Sequence, residues 1–282
     1  MGLVIRVWVN GDLHDSEGAA LSAIDHGVTV GDGVFETCKI VRGEVFAAGR
    51  HRARLRRSAA GLGLGPLDEA MIDAGIKAVL SAGERIEFGR LRYTVTGGPG
   101  PLGSDRGDVL PTYIVTAAPA APPAPTGTLA VTPWTRNERS AVAGLKTTSY
   151  AENVVALAHA HERGAMEAVF ANSRGELCEC TGSNVFVVVG GEILTPPLSS
   201  GCLAGITREL AIEWCRQEGL TVVEEALPLS VLHTCQEVFI TSSTRDVLPI
   251  GRVDFRSLPA PGPVTARAAE IFAARAAADL DP

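Results

Sequence analysis

The stretch Ala143-Gly144-Leu145-Lys146-Thr147-Thr148-Ser149-Tyr150 decides how this chain is read. It carries one of only three lysines among 25 basic side chains, the others being Lys39 and Lys77. All the rest are arginine, so a bare positive charge is supplied by arginine nearly everywhere. A lysine kept in such a background invites a chemical question. Arginine stays protonated, whereas a desolvated lysine can lose its proton and attack a carbonyl. The small, polar surroundings of Lys146, opening a helical segment, suit a Schiff-base lysine. Lys77 falls on the polar side of a helical stripe formed by Met71, Ile72, Ile76, Val79 and Leu80. Lys39, just before the Arg42-Gly43 turn, reads as a strand-end surface lysine.

Working outward, 282 residues suit two domains or one large one, and a chain 46% hydrophobic and 20% charged can bury substantial cores. A formal charge of −7 gives no pull toward nucleic acid or membrane, and no apolar run reaches the roughly 20 residues that span a bilayer. The opening run Leu3–Val9 is broken by Arg6 and meets an Asn-Gly turn. It reads as a first strand in a cytoplasmic protein rather than as a secretory signal. The six cysteines form no Cys-x-x-Cys pair and read as free thiols; no histidine spacing suggests a metal site.

Strands are predicted at Leu3–Val9, Val34–Val41, Glu44–Ala47, Arg90–Thr96 and Thr112–Ala117, with helices at His51–Leu62 and Leu67–Ala82. The Ala/Pro run 117–125, with four prolines, reads as an extended linker. Beyond it come strands at Thr128–Val131, Ala168–Ala171, Val185–Val189, Glu192–Thr195, Leu220–Glu224 and Val238–Thr241. Helices are predicted at Ser149–Arg163, Thr207–Glu218 and Val264–Ala277, and Pro133–Ala143 reads as a polar loop. The pattern is α+β (mixed α/β). It places an N-terminal α/β domain at 1–117, a linker at 118–127 and a C-terminal cofactor-binding domain at 128–282.

Four further features carry chemistry. Gly201-Cys202-Leu203-Ala204-Gly205-Ile206-Thr207 leads a glycine turn into a helix, with Thr207 as N-cap; it is an ordinary capped helix or a phosphate site. Thr241-Ser242-Ser243-Thr244 ends a strand with four hydroxyls, a Ser/Thr turn or a second phosphate contact. Arg50-His51-Arg52-Ala53-Arg54-Leu55-Arg56-Arg57 is a solvated face, or a helix start that turns one arginine inward onto a phosphate. Glu179, between Cys178 and Cys180, needs a cationic partner if it is buried, and a protonated pyridine nitrogen would serve. A lysine, a phosphate cradle and a carboxylate for a ring nitrogen together specify pyridoxal 5′-phosphate.

On these motifs, taken in order from Asp25-His26-Gly27 through Phe35-Glu36 to Thr241–Pro249, the chain resembles the fold type IV pyridoxal-phosphate enzymes. These are the D-amino-acid and branched-chain aminotransferases and the aminodeoxychorismate lyases. The resemblance implies a two-domain chain working as a homodimer, with each active site between the domains. It implies that Lys146 carries the cofactor and moves the substrate proton, and that Glu179 pairs with the pyridine nitrogen. Arg54, Ile206, Thr207, Ser243 and the adjacent Ser242 would hold the phosphate. Leu203 would pack on the ring, and Asn184 is grouped with the cofactor residues.

The match loosens at the substrate. The arginine by which D-amino-acid aminotransferases hold a carboxylate falls at Gly97, and their tyrosine falls at Phe35. Arg90 and Arg92 face one way on a strand, branched-chain enzymes carry an arginine close to Arg92, and Arg136 lies on the loop after Trp134. Either Arg92 or Arg136 is expected to pair with the substrate carboxylate. Thr37 matches a threonine of the lyases. The favoured reading is transamination between an amino acid, a D-amino acid or related (R)-amine, and a 2-oxo acid. The alternatives are aminodeoxychorismate lyase, a branched-chain L-amino-acid aminotransferase, and a non-catalytic protein that kept the fold.

Overall fold

Period-two runs in the first third of the chain make an antiparallel sheet, and two amphipathic helices cover it. The computed structural model describes residues 5–282, so Leu3 and Val4 of the predicted first strand lie outside the described residues. The chain divides into two units. One holds the chain up to Pro122 together with Leu145–Tyr150 and Leu280–Pro282; the other holds Pro123–Gly144 and Ala151–Asp279. The hexapeptide that carries Lys146 therefore groups with the first unit, although sequence reading assigned all of 128–282 to one domain.

The first unit contains β1 (Arg6–Val9), β2 (Asp12–His14), α1 (His26–Thr29), β3 (Gly33–Val41), β4 (Glu44–Val45), α2 (Ala48–Leu62), α3 (Glu69–Ser81), β5 (Phe88–Thr96) and β6 (Thr112–Pro119). Its six strands run in the order β2-β1-β6-β5-β3-β4, every pair antiparallel. Asp68 caps α3 by accepting the Met71 N–H at 3.2 Å. The inward stripe of α3 is Ile72, Gly75 and Val79. A β-carbon at Gly75 would lie 2.5 Å from Val115 Cγ2 and 2.6 Å from the Trp8 ring. Glycine there lets the helix sit close on the sheet. Helix α2 has no side-chain cap. The C-terminal tail supplies one: the Ala47 N–H donates to Leu280 O at 2.6 Å and the Gly49 N–H to Asp281 Oδ1 at 2.8 Å. A carboxylate at a helix N-terminus also suits the dipole, which explains why residues 280–282 group here.

Lys146 does not open a helix. Residues 146–148 are extended and add to the edge of β3: the Phe35 N–H donates to Lys146 O at 3.0 Å, Thr147 bridges Val34, and the Thr148 N–H donates to Gly33 O at 2.8 Å. Lys39 is also corrected, being buried in the sheet with its ammonium 4.7 Å from the Phe46 ring centroid. Lys77 is exposed.

The second unit contains β7 (Gly127–Arg136), α4 (Ala151–Glu162), β8 (Glu167–Asn172), β9 (Leu177–Cys180), β10 (Asn184–Val189), β11 (Glu192–Thr195), α5 (Ile206–Gln217), β12 (Val222–Glu224), β13 (Glu237–Ser242), β14 (Asp246–Val253), β15 (Arg256–Ser257) and α6 (Pro263–Ala278). The sheet order is β12-β11-β10-β13-β14-β7-β8-β9, with β15 on β14. The β7/β8 and β11/β12 pairs are parallel, and α4 and α5 make the crossovers that parallel pairs need. The larger core cluster is built from strand and loop residues such as Leu129, Val185, Ile240, Ile250 and Leu232, and a smaller one packs Ala156 and Ala160 of α4 on Phe170; Phe186, Phe239 and Phe272 are also fully buried. Two expectations fail here. Strand β7 runs through the predicted polar loop as far as Arg136, with a register shift after Val131. Strand β14 was missed, because Pro249 sits in its middle. No helix among the described residues is long and apolar enough to cross a membrane.

Candidate active site

The predicted site residues form two sets, one in each unit. In the first, Phe35 is the common surface. The Lys146 Nζ lies 4.5 Å from its ring centroid and the Arg92 guanidinium carbon 3.6 Å, and the Tyr150 ring meets it edge-on at 5.2 Å. The backbone of Lys146 is fixed by its carbonyl on Phe35 and by its N–H, which donates to Ser58 Oγ at 3.1 Å. Arg92 is half-buried and stands opposite Thr37 in register. Its one side-chain hydrogen bond among the described residues goes to Thr94 Oγ1 at 3.3 Å, and burial holds its pKa below the ordinary arginine value. Arg90, two residues away, is exposed.

Arg54 is buried in the same unit and is held by Glu36, which sequence reasoning gave no role. Glu36 Oε1 accepts from Arg54 Nε at 2.8 Å, and Oε2 accepts from Arg54 Nη2 at 2.5 Å and from His51 Nδ1 at 2.7 Å. Burial alone would raise the Glu36 carboxyl; the charge and hydrogen bonds of Arg54, with those of His51, overcome it and hold it at about 2. His51 is pushed below its ordinary value by burial, against the pull of Glu36. The signal for Glu36 was present: on the face Val34, Glu36, Cys38, Ile40 it is the one charge among apolar residues, and such a carboxylate demands a buried cation.

In the second unit Glu179 is on β9. Its Oε2 accepts the Leu203 N–H at 2.9 Å, and its Oε1 lies 3.4 Å from Arg136 Nε. Asn184 Nδ2 donates to Leu203 O at 2.8 Å, so both sides of Leu203 are fixed to neighbouring strands. Arg136 donates to Glu152 Oε2 and Asn153 Oδ1, both at 2.6 Å, and lies 4.3 Å from the Phe170 ring centroid. Its charged end is thus engaged beside Glu179. The N-cap of α5 is Gly205, not Thr207, which sits at the second helical position and is buried. A β-carbon at 205 would overlap Asn184 Oδ1, so no capping side chain fits there. The first-turn N–H groups are left without a side-chain acceptor, an arrangement that suits an anion. Ser242 ends β13, Ser243 follows it, and both are half-buried; Thr241 before them is buried, with no hydrogen-bond partner for its hydroxyl among the described residues. Glu167, also missed, accepts from Thr181 Oγ1 at 3.2 Å, the Gly182 N–H at 2.9 Å and Ser183 Oγ at 2.9 Å, and pairs with Arg245. It ties the turn before Asn184 to the turn after Ser243.

These residues fit pyridoxal 5′-phosphate by their chemistry. There is an amine on a fixed backbone, a carboxylate beside an arginine, a helix start without a side-chain cap and an orphan buried hydroxyl on Thr241. Residues 33–253 match the family described as amino-transferase class IV. A Methanocaldococcus jannaschii protein provisionally named a branched-chain-amino-acid aminotransferase is 35% identical over 258 residues, with 89% of each chain covered. The D-alanine aminotransferase of Bacillus licheniformis is 32% identical over 266 residues, with 93% of each covered. The crystal structure of 4-amino-4-deoxychorismate lyase from Pseudomonas aeruginosa matches with a TM-score of 0.83 at 26% identity, covering 98% of this chain and 100% of that one.

Proposed function

Because this chain belongs to the class IV aminotransferases, enzymes that work through pyridoxal 5′-phosphate, we propose that it moves an amino group between an amino acid and a 2-oxo acid, with D-amino acids or related (R)-amines as donors. When bound, that cofactor supplies the carbonyl that receives the amine and a ring that accepts the electron pair from the substrate Cα. Lys146 Nζ would hold it, and would then carry the proton from the substrate Cα to the cofactor's C4′. Glu179, whose Oε1 lies 3.4 Å from Arg136 Nε, would hold a proton on the pyridine nitrogen. Arg54, the first turn of α5 through Ile206 and Thr207, and Ser242 and Ser243 would hold the phosphate, and Asn184 and Glu179 would keep Leu203 in place against the ring.

The observation that carries the substrate reading is Arg92. A half-buried guanidinium with no carboxylate partner among the described residues, on the same aromatic ring as Lys146, suits an anionic substrate group. Arg92 rather than Arg136 is the carboxylate anchor in this proposal, because Arg136 is already engaged by Glu152 and Asn153. Thr37, opposite Arg92, keeps the lyase as the second reading, as does the likeness to the Pseudomonas aeruginosa enzyme. Exposed Leu13, Leu21, Ile24, Val28, Leu102 and Leu110 in the first unit support a homodimer, which we place in the cytoplasm.

The test uses holoenzyme without acceptor. Donors of both hands are added, and the 2-oxo acid released is counted. About one equivalent per site, from the D-donor first, is expected for a half-reaction. Formation of p-aminobenzoate from aminodeoxychorismate, with no 2-oxo acid from any donor, would make the lyase the correct reading.

A further inference from the structure

The buried residues of α2 are His51, Arg54, Leu55, Ser58 and Ala59, at i, i+3, i+4, i+7 and i+8. Three of these five are polar, where a helix packed only for stability would be apolar. Across from them stands Glu36, fully buried on β3. The carboxylate takes Arg54 through its Nε and Nη2 atoms, at 2.8 and 2.5 Å, and takes His51 Nδ1 at 2.7 Å. A two-point grip on one edge fixes the plane of a guanidinium as well as its position. The donors that Glu36 does not use belong to the opposite edge, so their direction is set by Glu36. His51, one turn earlier, keeps the carboxylate from rotating.

We infer that Glu36 is a positioning residue: it holds Arg54 in the one orientation in which the far edge of the guanidinium meets the cofactor phosphate. The inference rests on the reading that Arg54 grips that phosphate. The charges bear on it directly. Glu36 is ionised at working pH and cancels the charge of Arg54, so Arg54 offers the phosphate directed N–H groups rather than net charge. A buried ion pair is seldom more stable than apolar residues of the same size. Its use here is orientation fixed before the ligand arrives, which lowers the ordering that binding requires. If Glu36 only neutralised a buried cation, removing its charge would tighten the hold on an anion.

The experiment titrates apo-protein with pyridoxal 5′-phosphate and, separately, with pyridoxal, which lacks the phosphate, reading bound-ligand absorbance. Wild type is compared with Glu36→Asp, which keeps the charge but shortens the reach, with Glu36→Gln, which keeps the shape but not the charge, and with Arg54→Gln. We expect both Glu36 variants to weaken pyridoxal 5′-phosphate at least about ten-fold and to leave pyridoxal within about two-fold, a selective loss that general damage to the fold would not give. Unchanged affinity in Glu36→Asp, tighter binding in Glu36→Gln, or equal loss for both ligands would each overturn it. Arg54→Gln separates the two levels. If it loses selectivity for the phosphate while Glu36→Asp keeps it, the positioning role alone is wrong. If Arg54→Gln binds the phosphorylated ligand like wild type, Arg54 is not the grip and both readings fall.

Discussion

Inside a protein a guanidinium without a carboxylate beside it carries a cost that a ligand can relieve, and Arg92 is in that position. Desolvation pulls its pKa down against the opposing pull of Tyr150, and its guanidinium lies on the Phe35 ring and donates to Thr94. Arg92→Ala should therefore raise KM for a 2-oxo acid about ten-fold or more, near 1.4 kcal/mol, with a smaller change in kcat. Steady-state kinetics with one acceptor checks it; an unchanged KM assigns the anchor elsewhere. At this scale the sequence was informative where chemistry restricts residue type. Lys146 stood out against an arginine-rich background, and the carboxylate of Glu179 stood out between two cysteines. Its place just before a turn misled at Lys39, whose burial depends on packing against Phe46 and not on its neighbours in sequence. Glu36 was passed over because a single charge in a strand is ordinary until its face is known.

Among the elements, α5 shows how a strand and a helix constrain each other. Gly205 is extended, at φ −70° and ψ 134°, which any residue can adopt. What selects glycine is Asn184, whose amide lies where a β-carbon would go while holding the Leu203 carbonyl. Gly205→Ala should push Asn184 off that carbonyl at a cost of about 1–3 kcal/mol, lowering Tm by several degrees and the retention of cofactor with it. Thermal melts of apo- and holo-protein test this, and an unshifted Tm would show that Asn184 can give way. Element positions were mostly legible from apolar periodicity. The failures have local causes. Proline is rare in a central strand, yet Pro249 pairs with Phe239 inside β14. The polar run after Pro133 looked like a loop, yet β7 resumes beside β8 after its register shift. Thr207 had the right chemistry for a cap, but the close approach of Asn184 moved the helix start back to glycine.

Over the whole molecule, acid should unfold the protein early. In the native state Glu36 stays ionised down to about 2, and His51 resists protonation. In the unfolded chain both take protons at their ordinary values, so the unfolded state binds more protons as pH falls, and stability falls with it. The His51 contribution is lost first, below about pH 6.5, and the Glu36 contribution between about pH 4.5 and 2. Urea midpoints taken across this range should decline toward acid, and the lower part of the decline should be shallower in Glu36→Gln. An identical slope in that variant would mean that other carboxylates control it. The α+β architecture could be read from the alternation of strand and helix signals. The return of residues 145–150 to the edge of β3 could not, because nothing in Leu145-Lys146-Thr147-Thr148-Ser149-Tyr150 states which distant strand they will join.

That return has a consequence for protein engineering. The polypeptide leaves the first unit through the proline-rich run, comes back for six residues, and leaves again. A hybrid spliced at that run from two parent chains would lay one parent's Lys146 along the other parent's β-edge. Working hybrids would need four crossover points, so that the hexapeptide and the tail Leu280–Pro282 are both inherited with the first unit.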